Sequence, residues 1–499
     1  MKREAPWLLG ALAYGLAWPQ TGGPVLPFLA WGAWVPLLLA LREERSWRVV
    51  LLRAYGFTAV AALVSGWWWF VSLPAAWWGW AWLAALHEIA LASAPFVAVA
   101  LLHRRLPFDR AVWLLVPLVP LWEAVYTLWP LSMRNLVVGY SQASLPALIQ
   151  FADLGGVWLV SAWIIALNVG LYQSWRAPSR RWLRAGLVLL LGVGGAWGYG
   201  LLKGVPEGAT TIRALLLHTN AHRDASVPVD TLIARTAARL TNGAGDMVAW
   251  PEGLLASDAQ VEQLEAVVQR WGVPLLAGQS GRDATGRLVN QMHLLVPTAG
   301  ERSRQSYQKR HLVPMWEGLP FAHVTRHVPG VDTLAYYHPG TAPTLLRLPQ
   351  GEHDVAVAAP ICHEQGLPSW WAAFAQNGAD LFVQGSYERW FGTRSFHVNL
   401  ANQARLRAIE TGRSVARVTH GGQTVVFDAR GRIIRSHIGA TQAMVVEVPI
   451  YARQTLFATQ PTAFPVLCCL ILVIGLAIGV QRSRRSDSLR TDGAQCPET

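Results

Sequence analysis

The sequence predicts a two-part membrane protein, in which a bundle of about eight spanning helices is joined to one extracytoplasmic α/β domain. Of its 499 residues, 52% are hydrophobic and 14% are charged, whereas soluble proteins average about 25% charged residues. The long apolar runs lie in residues 1–202 and 463–481, and the segment 203–462 alternates strand and helix patterns. These observations exclude a disordered chain, a coiled coil and a small disulfide scaffold.

Eight apolar runs are predicted to cross the membrane, which takes about 20 residues per helix. The first run is short enough to resemble a signal-peptide core, but another apolar run follows it, which favours an uncleaved span. The predicted spans are residues 5–19, 25–41, 54–75, 78–102, 111–131, 157–173, 185–202 and 463–480. The predicted units are therefore a seven-span domain (1–202), an outer domain (203–462), a last helix (463–481) and a polar tail (482–499).

The distribution of charge predicts the orientation of the chain. Residues 1–202 carry 14 basic and 7 acidic residues, whereas residues 203–462 carry 24 and 20. The basic residues of the membrane part concentrate in alternate loops, as cytoplasmic loops do. We therefore expect both termini in the cytoplasm, the segment 203–462 outside (the periplasm in a bacterium) and residues 482–499 as a cytoplasmic tail. Because the excess charge marks topology, the net charge of +12 does not predict a nucleic-acid partner.

The outer segment has the pattern of a layered α/β domain of about 250 residues, which is long enough to form its own core. Helical periodicity fits residues 226–241, 257–271, 367–377 and 396–412. The predicted strands are 212–218, 246–250, 273–278, 288–296, 355–359, 380–384, 414–418, 424–427 and 443–448.

Two scarce residue types mark candidate catalytic positions in this domain. The chain contains 39 Arg and 3 Lys: Lys2 is at the N-terminus, Lys203 is at the edge of the outer segment beside a span, and Lys309 is the one lysine well inside it. Cys362 is likewise its one cysteine, so no disulfide can form within the domain. Cys362 follows the predicted strand 355–359, where catalytic side chains of α/β domains gather. Chance retention of the lysine and a small buried apolar role for the cysteine are the alternatives.

A thiol nucleophile needs a base and an oxyanion stabiliser. Glu252 follows the strand 246–250 in the string Trp-Pro-Glu-Gly and is the candidate base, with a solvated loop acid as the alternative. A Cys–His pair would instead use one of four histidines: His218, His311, His363 or His420. Neither a zinc-type spacing of His and Cys nor a phosphate-binding loop occurs, so we expect no metal and no cofactor.

The strings around these residues resemble the nitrilase (carbon–nitrogen hydrolase) superfamily, whose triad is Glu, Lys and Cys. They are Trp250-Pro-Glu252, Tyr307-Gln-Lys-Arg-His-Leu-Val-Pro314 and Ile361-Cys-His-Glu364. With the flanking spans, the chain resembles the apolipoprotein N-acyltransferase family over nearly its whole length. Strings that match this family include Gly139-Tyr-Ser-Gln142, Trp390-Phe-Gly392 and Ala404-Arg-Leu-Arg-Ala-Ile-Glu410.

The resemblance implies a four-layer αββα sandwich and a two-step acyl transfer in the bacterial inner membrane. Glu252 would be the base, Cys362 the nucleophile, and Lys309 with the backbone N–H of His363 the oxyanion stabilisers. Glu317 and Glu364 would support them, with local ion pairing as the alternative. Trp316 and Trp390 would contact substrate. The implied partners are a phospholipid donor and a diacylglyceryl apolipoprotein acceptor, acting on a monomer.

Several positions depart from the family pattern. His363 stands where an aromatic residue usually follows the nucleophile. Tyr387-Glu-Arg389 and His420-Gly-Gly422 replace the usual Asn-Asp-Ala and Asn-Asn-Gly, and the loop before Gly139 lacks Phe-Pro-Trp. These departures leave open a membrane-anchored amidase, a conjugation-associated paralogue of divergent specificity, and a non-catalytic scaffold. They also leave head group, acyl chain and client lipoproteins undetermined.

Overall fold

The molecule consists of a helical membrane part and an α/β domain packed against it. A computed structural model describes the chain over residues 5–18, 26–72, 78–177, 179–204, 210–220, 227–240, 245–298, 303–325, 327, 336–389, 392–451 and 454–492.

Within the described residues, the membrane part contains ten α-helices before the first strand and one after the last strand. They are α1 (Ala5–Leu16), α2 (Val35–Arg42), α3 (Trp47–Ser65), α4 (Trp68–Ser72), α5 (Trp78–Leu102), α6 (Phe108–Ala111), α7 (Leu115–Tyr126), α8 (Ala152–Arg176), α9 (Arg181–Leu189), α10 (Gly195–Leu202) and, at the other end of the chain, α17 (Ala463–Asp492). A π-helical turn, Leu190–Gly194, joins α9 to α10.

Each predicted span overlaps a helix, but the helices are often shorter or interrupted. Within the described residues four helices are long and apolar enough to cross a membrane, at Trp47–Ser65, Trp82–Leu102, Ala152–Arg176 and Arg181–Leu202. Three shorter apolar helices lie at Pro6–Leu16, Pro27–Arg42 and Ala463–Ile478. The predicted run 54–75 is divided between two helices. Helix α3 begins earlier, at Trp47, and ends at Ser65, where the N–H of the next residue, Gly66, donates a hydrogen bond to the Ala62 carbonyl. The count of about eight spans stays a prediction.

The α/β domain contains thirteen strands within the described residues. They are β1 (Thr210–His218), β2 (Met247–Ala249), β3 (Leu255–Ser257), β4 (Leu275–Arg282), β5 (Leu288–Leu295), β6 (Arg304–Gln308), β7 (Leu345–Gln350), β8 (His353–Ala358), β9 (Leu381–Tyr387), β10 (Val415–His420), β11 (Gln423–Phe427), β12 (Ile433–Ile438) and β13 (Gln442–Ile450). The helices are α11 (Val229–Leu240), α12 (Asp258–Trp271), α13 (Ala322–Thr325), α14 (Pro368–Gln376), α15 (Arg394–Thr411) and α16 (Leu456–Thr459).

The strands form two sheets that stack face to face between helices, which confirms the expected αββα sandwich. One sheet has the order β13-β1-β2-β4-β5-β6, with β3 beside β4, and the other has the order β12-β11-β10-β9-β8-β7. Along β1, Ile212, Ala214 and Leu216 enter the core between the sheets. The alternate residues Leu215 and Leu217 pack in a second core under α11 and α12, as the two-residue repeat of a strand requires.

The outer helical layer on the other side joins the α/β domain to the membrane part. Leu406 and Ile409 of α15 and Phe457 of α16 are buried in the same apolar core as the membrane helices. The Glu410 side chain of α15 accepts a hydrogen bond from the Val157 backbone N–H of α8 at 2.7 Å. The strands that carry the candidate nucleophile are therefore one helical layer away from the membrane part.

Candidate active site

Glu252 lies in the turn after β2, and its carboxylate is held by three groups. Asn290 Nδ2 donates a hydrogen bond to Oε1 at 2.6 Å, and the Tyr387 backbone N–H donates to Oε2 at 2.7 Å. The Lys309 ammonium lies 3.3 Å from Oε1. Because Asn290 belongs to one sheet and Tyr387 to the other, both sheets fix the position of this carboxylate.

Lys309 follows β6 directly, and its ammonium is completely buried between two carboxylates. Its Nζ lies 2.8 Å from Glu317 Oε1 and 3.3 Å from Glu252 Oε1. The Val313 backbone N–H donates to Glu317 Oε2 at 2.8 Å, which orients that carboxylate. Burial favours the neutral amine, but the two carboxylates outweigh it and raise the pKa of Lys309. The lysine is thus a fixed positive charge in a protected site.

Cys362 begins a short 3-10 turn, Cys362–Gly366, after β8. Its φ angle is +47°, in the left-handed region that side-chain-bearing residues seldom adopt. The sulfur lies 3.9 Å from the Tyr387 carbonyl oxygen. The N–H of Tyr387 donates to Glu252. The backbone of this one residue at the end of β9 therefore contacts both the thiol, through its carbonyl, and the carboxylate, through its N–H.

Glu364 anchors this turn to the loop that carries the lysine. Its carboxylate is fully buried and accepts hydrogen bonds from the Ile361 N–H at 2.8 Å, the Arg310 N–H at 2.9 Å, the His311 N–H at 3.1 Å and the Tyr307 hydroxyl at 2.7 Å. One side chain therefore couples the position of the thiol to that of the ammonium.

The electrostatics of the site place a neutral thiol beside a base. Burial raises the pKa of Cys362 to about 12, and Glu252 adds to this effect while Lys309 opposes it. Burial also raises the pKa of Glu252, against the opposing charge of Lys309. A protonated thiol next to a carboxylate of raised proton affinity suits proton transfer as the sulfur attacks.

The remaining predicted residues fall around this cluster. His363 follows the nucleophile in the same turn, and burial lowers the pKa of its imidazole well below the usual range. Trp316 lies, partly exposed, in the turn that also carries Glu317. Trp390 lies outside the described residues.

Two contacts of the site were not predicted from the sequence. Asn290 is 1% exposed and lies in β5, where Gln291 and His293 are also polar, so its position in the strand did not single it out. Tyr387 acts through its backbone N–H and carbonyl, which no side-chain pattern reports.

An apolar cleft lies between the membrane helices and α15. Its lining includes Trp18, Leu63, Trp69, Trp82, Phe396 and Leu400. Met133 and Asn135 also line it. Arg134, the residue between them, packs on Gly366 in the turn of Cys362, where a Cβ would lie 3.0 Å from that of Arg134.

Comparison with known families assigns both parts of the chain. Residues 232–453 match the carbon-nitrogen hydrolase family, so the α/β domain has the fold of that superfamily and is joined here to membrane helices. Residues 10–170 match the apolipoprotein N-acyltransferase N-terminal domain. The chain belongs to the apolipoprotein N-acyltransferase family.

Similar curated proteins extend over most of the chain. An apolipoprotein N-acyltransferase of Chlorobaculum tepidum is 25% identical, over 96% of this chain and 96% of its own. One of Gloeobacter violaceus is 28% identical over 94% and 92%, and one of Pseudomonas aeruginosa is 27% identical over 86% and 83%.

Two solved structures of nitrilase-type proteins are each similar to about half of the chain. A branch 10 nitrilase-superfamily protein of Saccharomyces cerevisiae is 14% identical, with a TM-score of 0.38, over 51% of this chain and 94% of its own. An amidase of Nesterenkonia sp. AN1 is 19% identical, with a TM-score of 0.37, over 49% and 93%.

Proposed function

We propose that this membrane enzyme transfers an acyl chain from a phospholipid, through a thioester on Cys362, to the N-terminal amino group of diacylglyceryl-cysteine apolipoproteins. The observation that carries the proposal is the buried Lys309 ammonium between two carboxylates, beside a cysteine on a strained turn. Family membership supplies the acyl donor and acceptor.

In the first step, Glu252 takes the proton of the Cys362 thiol as the sulfur attacks a phospholipid ester carbonyl. Lys309 and the backbone N–H of His363 stabilise the negative oxygen of the tetrahedral intermediate. The carbon–oxygen ester bond then breaks, and Glu252 returns the proton to the departing oxygen of the lysophospholipid. The product is a thioester on Cys362.

In the second step, the neutral α-amino group of the apolipoprotein attacks the thioester carbonyl. Glu252 accepts a proton from the attacking nitrogen, the carbon–sulfur bond breaks, and the sulfur recovers that proton. An amide is more stable than a thioester, so transfer proceeds without ATP. Glu317 and Glu364 act by holding the lysine and the nucleophile turn in place.

The apolar cleft supports a lipid substrate. Trp68 of the membrane part packs on Phe396 of α15 with ring centroids 4.8 Å apart, so both parts of the chain build its wall. A cleft of this lining accepts acyl chains at low free-energy cost, and we propose that Trp316 and Trp390 contact the substrate.

The membrane arrangement belongs to the same proposal. We place the protein in the bacterial inner membrane with both termini cytoplasmic and the α/β domain in the periplasm. The proposed units are residues 1–202, 203–462, 463–481 and 482–499. We further propose that it acts as a monomer and binds no nucleic acid.

The function is tested by complementation: this chain is expressed in a bacterium depleted of its own apolipoprotein N-acyltransferase. The wild-type chain should restore growth and N-acylated lipoproteins, and Cys362→Ala should restore neither. Cys468→Ala, a change to a buried cysteine of α17, is the matched control and should behave as wild type. Release of free fatty acid from phospholipid without any acylated lipoprotein would instead favour the amidase alternative.

A further inference from the structure

A second group of buried polar side chains lies beside Cys362 and takes no part in the steps above. Ser386 and Glu388 flank the end of β9, Arg417 lies in β10, and His397 lies in α15. Their exposed fractions are 0%, 1%, 0% and 4%. Burying an ion pair of this kind is costly unless its members are closely paired, so the group calls for a physical explanation.

Glu388 is the centre of the group. The Ser386 hydroxyl donates to its Oε1 at 2.9 Å, and Arg417 Nη2 donates to the same oxygen. The other carboxylate oxygen lies 3.0 Å from His397 Nδ1. The carboxylate also fills the space that a Cβ on Gly422 would occupy. Both oxygens are thus held from several sides.

The group is connected to the nucleophile through Ser386. Ser386 directly precedes Tyr387, whose carbonyl oxygen lies 3.9 Å from the Cys362 sulfur, and Ile361 pairs with Gly385. The serine therefore lies beside Cys362, and it lowers the pKa of that thiol. Arg417 Nη2 lies 3.3 Å from the serine oxygen, and the charge of Arg417 interacts with both Cys362 and Glu252. The other charged groups that act on the thiol are Glu252, Lys309 and Glu317.

We propose that the Ser386 hydroxyl redirects its hydrogen bond from Glu388 to the Cys362 sulfur when the thiolate forms, and that Arg417 and Glu388 are positioning residues for this hydroxyl. The inference rests on the proposed function only in taking Cys362 as the nucleophile.

The proton and charge balance is simple. Glu252 takes the thiol proton, and the negative charge left on sulfur then accepts the Ser386 hydroxyl hydrogen, so no proton leaves the serine. Glu388 keeps its contacts with Arg417 and His397. Arg417 already neutralises the Glu388 oxygen that the hydroxyl leaves, so breaking that hydrogen bond costs little free energy. The new hydrogen bond to an anionic sulfur is stronger. When the sulfur becomes a neutral thioester, the hydroxyl returns to Glu388.

Alkylation of Cys362 tests the proposal without any lipid substrate. The purified full-length chain is treated between pH 7 and 9 with iodoacetamide, and the Cys362 peptide is quantified by mass spectrometry. In this range, well below the pKa of about 12, the rate is proportional to the thiolate fraction. Ser386→Ala should lower the rate roughly tenfold at every pH, as expected for loss of one hydrogen bond to a charged group. Arg417→Lys should lower it less.

A second reagent and a matched variant separate the thiolate effect from packing. Methyl methanethiosulfonate is smaller than iodoacetamide. If the ratio of the wild-type rate to the Ser386→Ala rate is the same with both reagents, the serine stabilises the thiolate. A ratio that differs between the reagents would overturn the proposal. Ser414→Ala removes another fully buried serine, which donates to the Pro449 carbonyl, and should leave the rate unchanged. Wild-type rates in Ser386→Ala would also overturn it.

The outcome is independent of the proposed function. A tenfold loss of alkylation in a chain that acylates no lipoprotein would contradict the acyltransferase function and leave the role of Ser386 standing.

Discussion

At the scale of single residues, the site depends on the positive charge of Lys309, which is fixed in position and stays protonated because its pKa is raised. The Lys309 side chain fills a fully buried position between the carboxylates of Glu252 and Glu317. A compact ammonium on a flexible stem fits there, whereas the wide planar guanidinium of arginine does not. This explains why a chain with 39 arginines keeps a lysine at position 309.

Lys309→Arg should therefore lower kcat about 100-fold or more although it retains the charge, because loss of one well-placed oxyanion donor has effects of that size. The measurement is the rate of lipoprotein acylation by purified protein, with thermal unfolding as a check of folding. Near wild-type activity in a folded Lys309→Arg protein would show that charge alone suffices.

The loss of kcat/KM at low pH, the acid limb of the pH profile, should follow the protonation of Glu252. A base must be ionised, so kcat/KM should fall as pH drops through the pKa of Glu252, which burial raises above its usual value. Asn290 donates to this carboxylate and lowers its pKa, so Asn290→Ala should move the limb to higher pH. The neighbouring Gln291 bonds Gln308 instead, and Gln291→Ala should leave the limb in place. An unshifted limb in Asn290→Ala would contradict the assignment of the base.

At the scale of elements, the junction between the two parts depends on a break in α8. Gly156 has a φ of +68° and a ψ of −167° inside this helix. The break leaves the Val157 N–H unpaired within α8, and Glu410 of α15 accepts its hydrogen bond at 2.7 Å. The ring of Phe457 fills the space beside Gly156. A local backbone change thus becomes the contact between membrane helix and α/β domain.

Gly156→Ala should destabilise the protein by about 2 kcal/mol or more, because a Cβ there meets the Phe457 ring at 2.5 Å and the left-handed φ is strained for alanine. Thermal unfolding in detergent measures the change. Gly186→Ala lies in α9 with open space around it, and it should be neutral or slightly stabilising. Equal unfolding temperatures for the two variants would contradict this account of the junction.

The strands show which elements of the fold could be predicted from the sequence. The nine predicted strands are present because their apolar residues are buried between or under the sheets. Four strands were missed. One is the three-residue β3, and the other three, β6, β7 and β12, are sheet edges, where one side faces solvent and the burial pattern weakens. Ile433 and Ile434 of β12 are both exposed, and β7 contains Pro349, which an edge strand tolerates.

The site followed the same logic. Cys362 and Lys309 were predictable because each is scarce in its domain, and Glu252 because it follows a buried strand. The turn of Cys362 and the two-sided contact of Tyr387 depend on how two distant strands meet, and the group around Arg417 depends on the pairing of β9 with β10. No local pattern contains that information.

At the scale of the whole molecule, the α/β domain is built onto the membrane part rather than tethered beside it. Helices α15 and α16 share an apolar core with the membrane helices, and the apolar cleft lies along that junction. Both substrates of the proposed reaction are held in a bilayer, so a site next to this junction makes their encounter two-dimensional.

The proposed orientation predicts opposite labelling of two exposed positions. In a Cys362→Ala, Cys496→Ser background, Gln263→Cys on α12 should react with a membrane-impermeant thiol reagent in cells with a permeabilised outer membrane. Arg48→Cys, at the end of α3 that is predicted to be cytoplasmic, should react only after lysis. The reverse pattern would place the α/β domain in the cytoplasm and contradict the proposal.

The covalent state of Cys362 tests the central claim most directly. After incubation of the purified protein with a phospholipid of defined chains, mass spectrometry of the Cys362 peptide should show one acyl chain in thioester linkage. Addition of a diacylglyceryl apolipoprotein should remove that mass from Cys362 and move it to the N-terminus of the acceptor. An acylated acceptor formed without any adduct on Cys362, or formed equally by Cys362→Ala, would contradict the account.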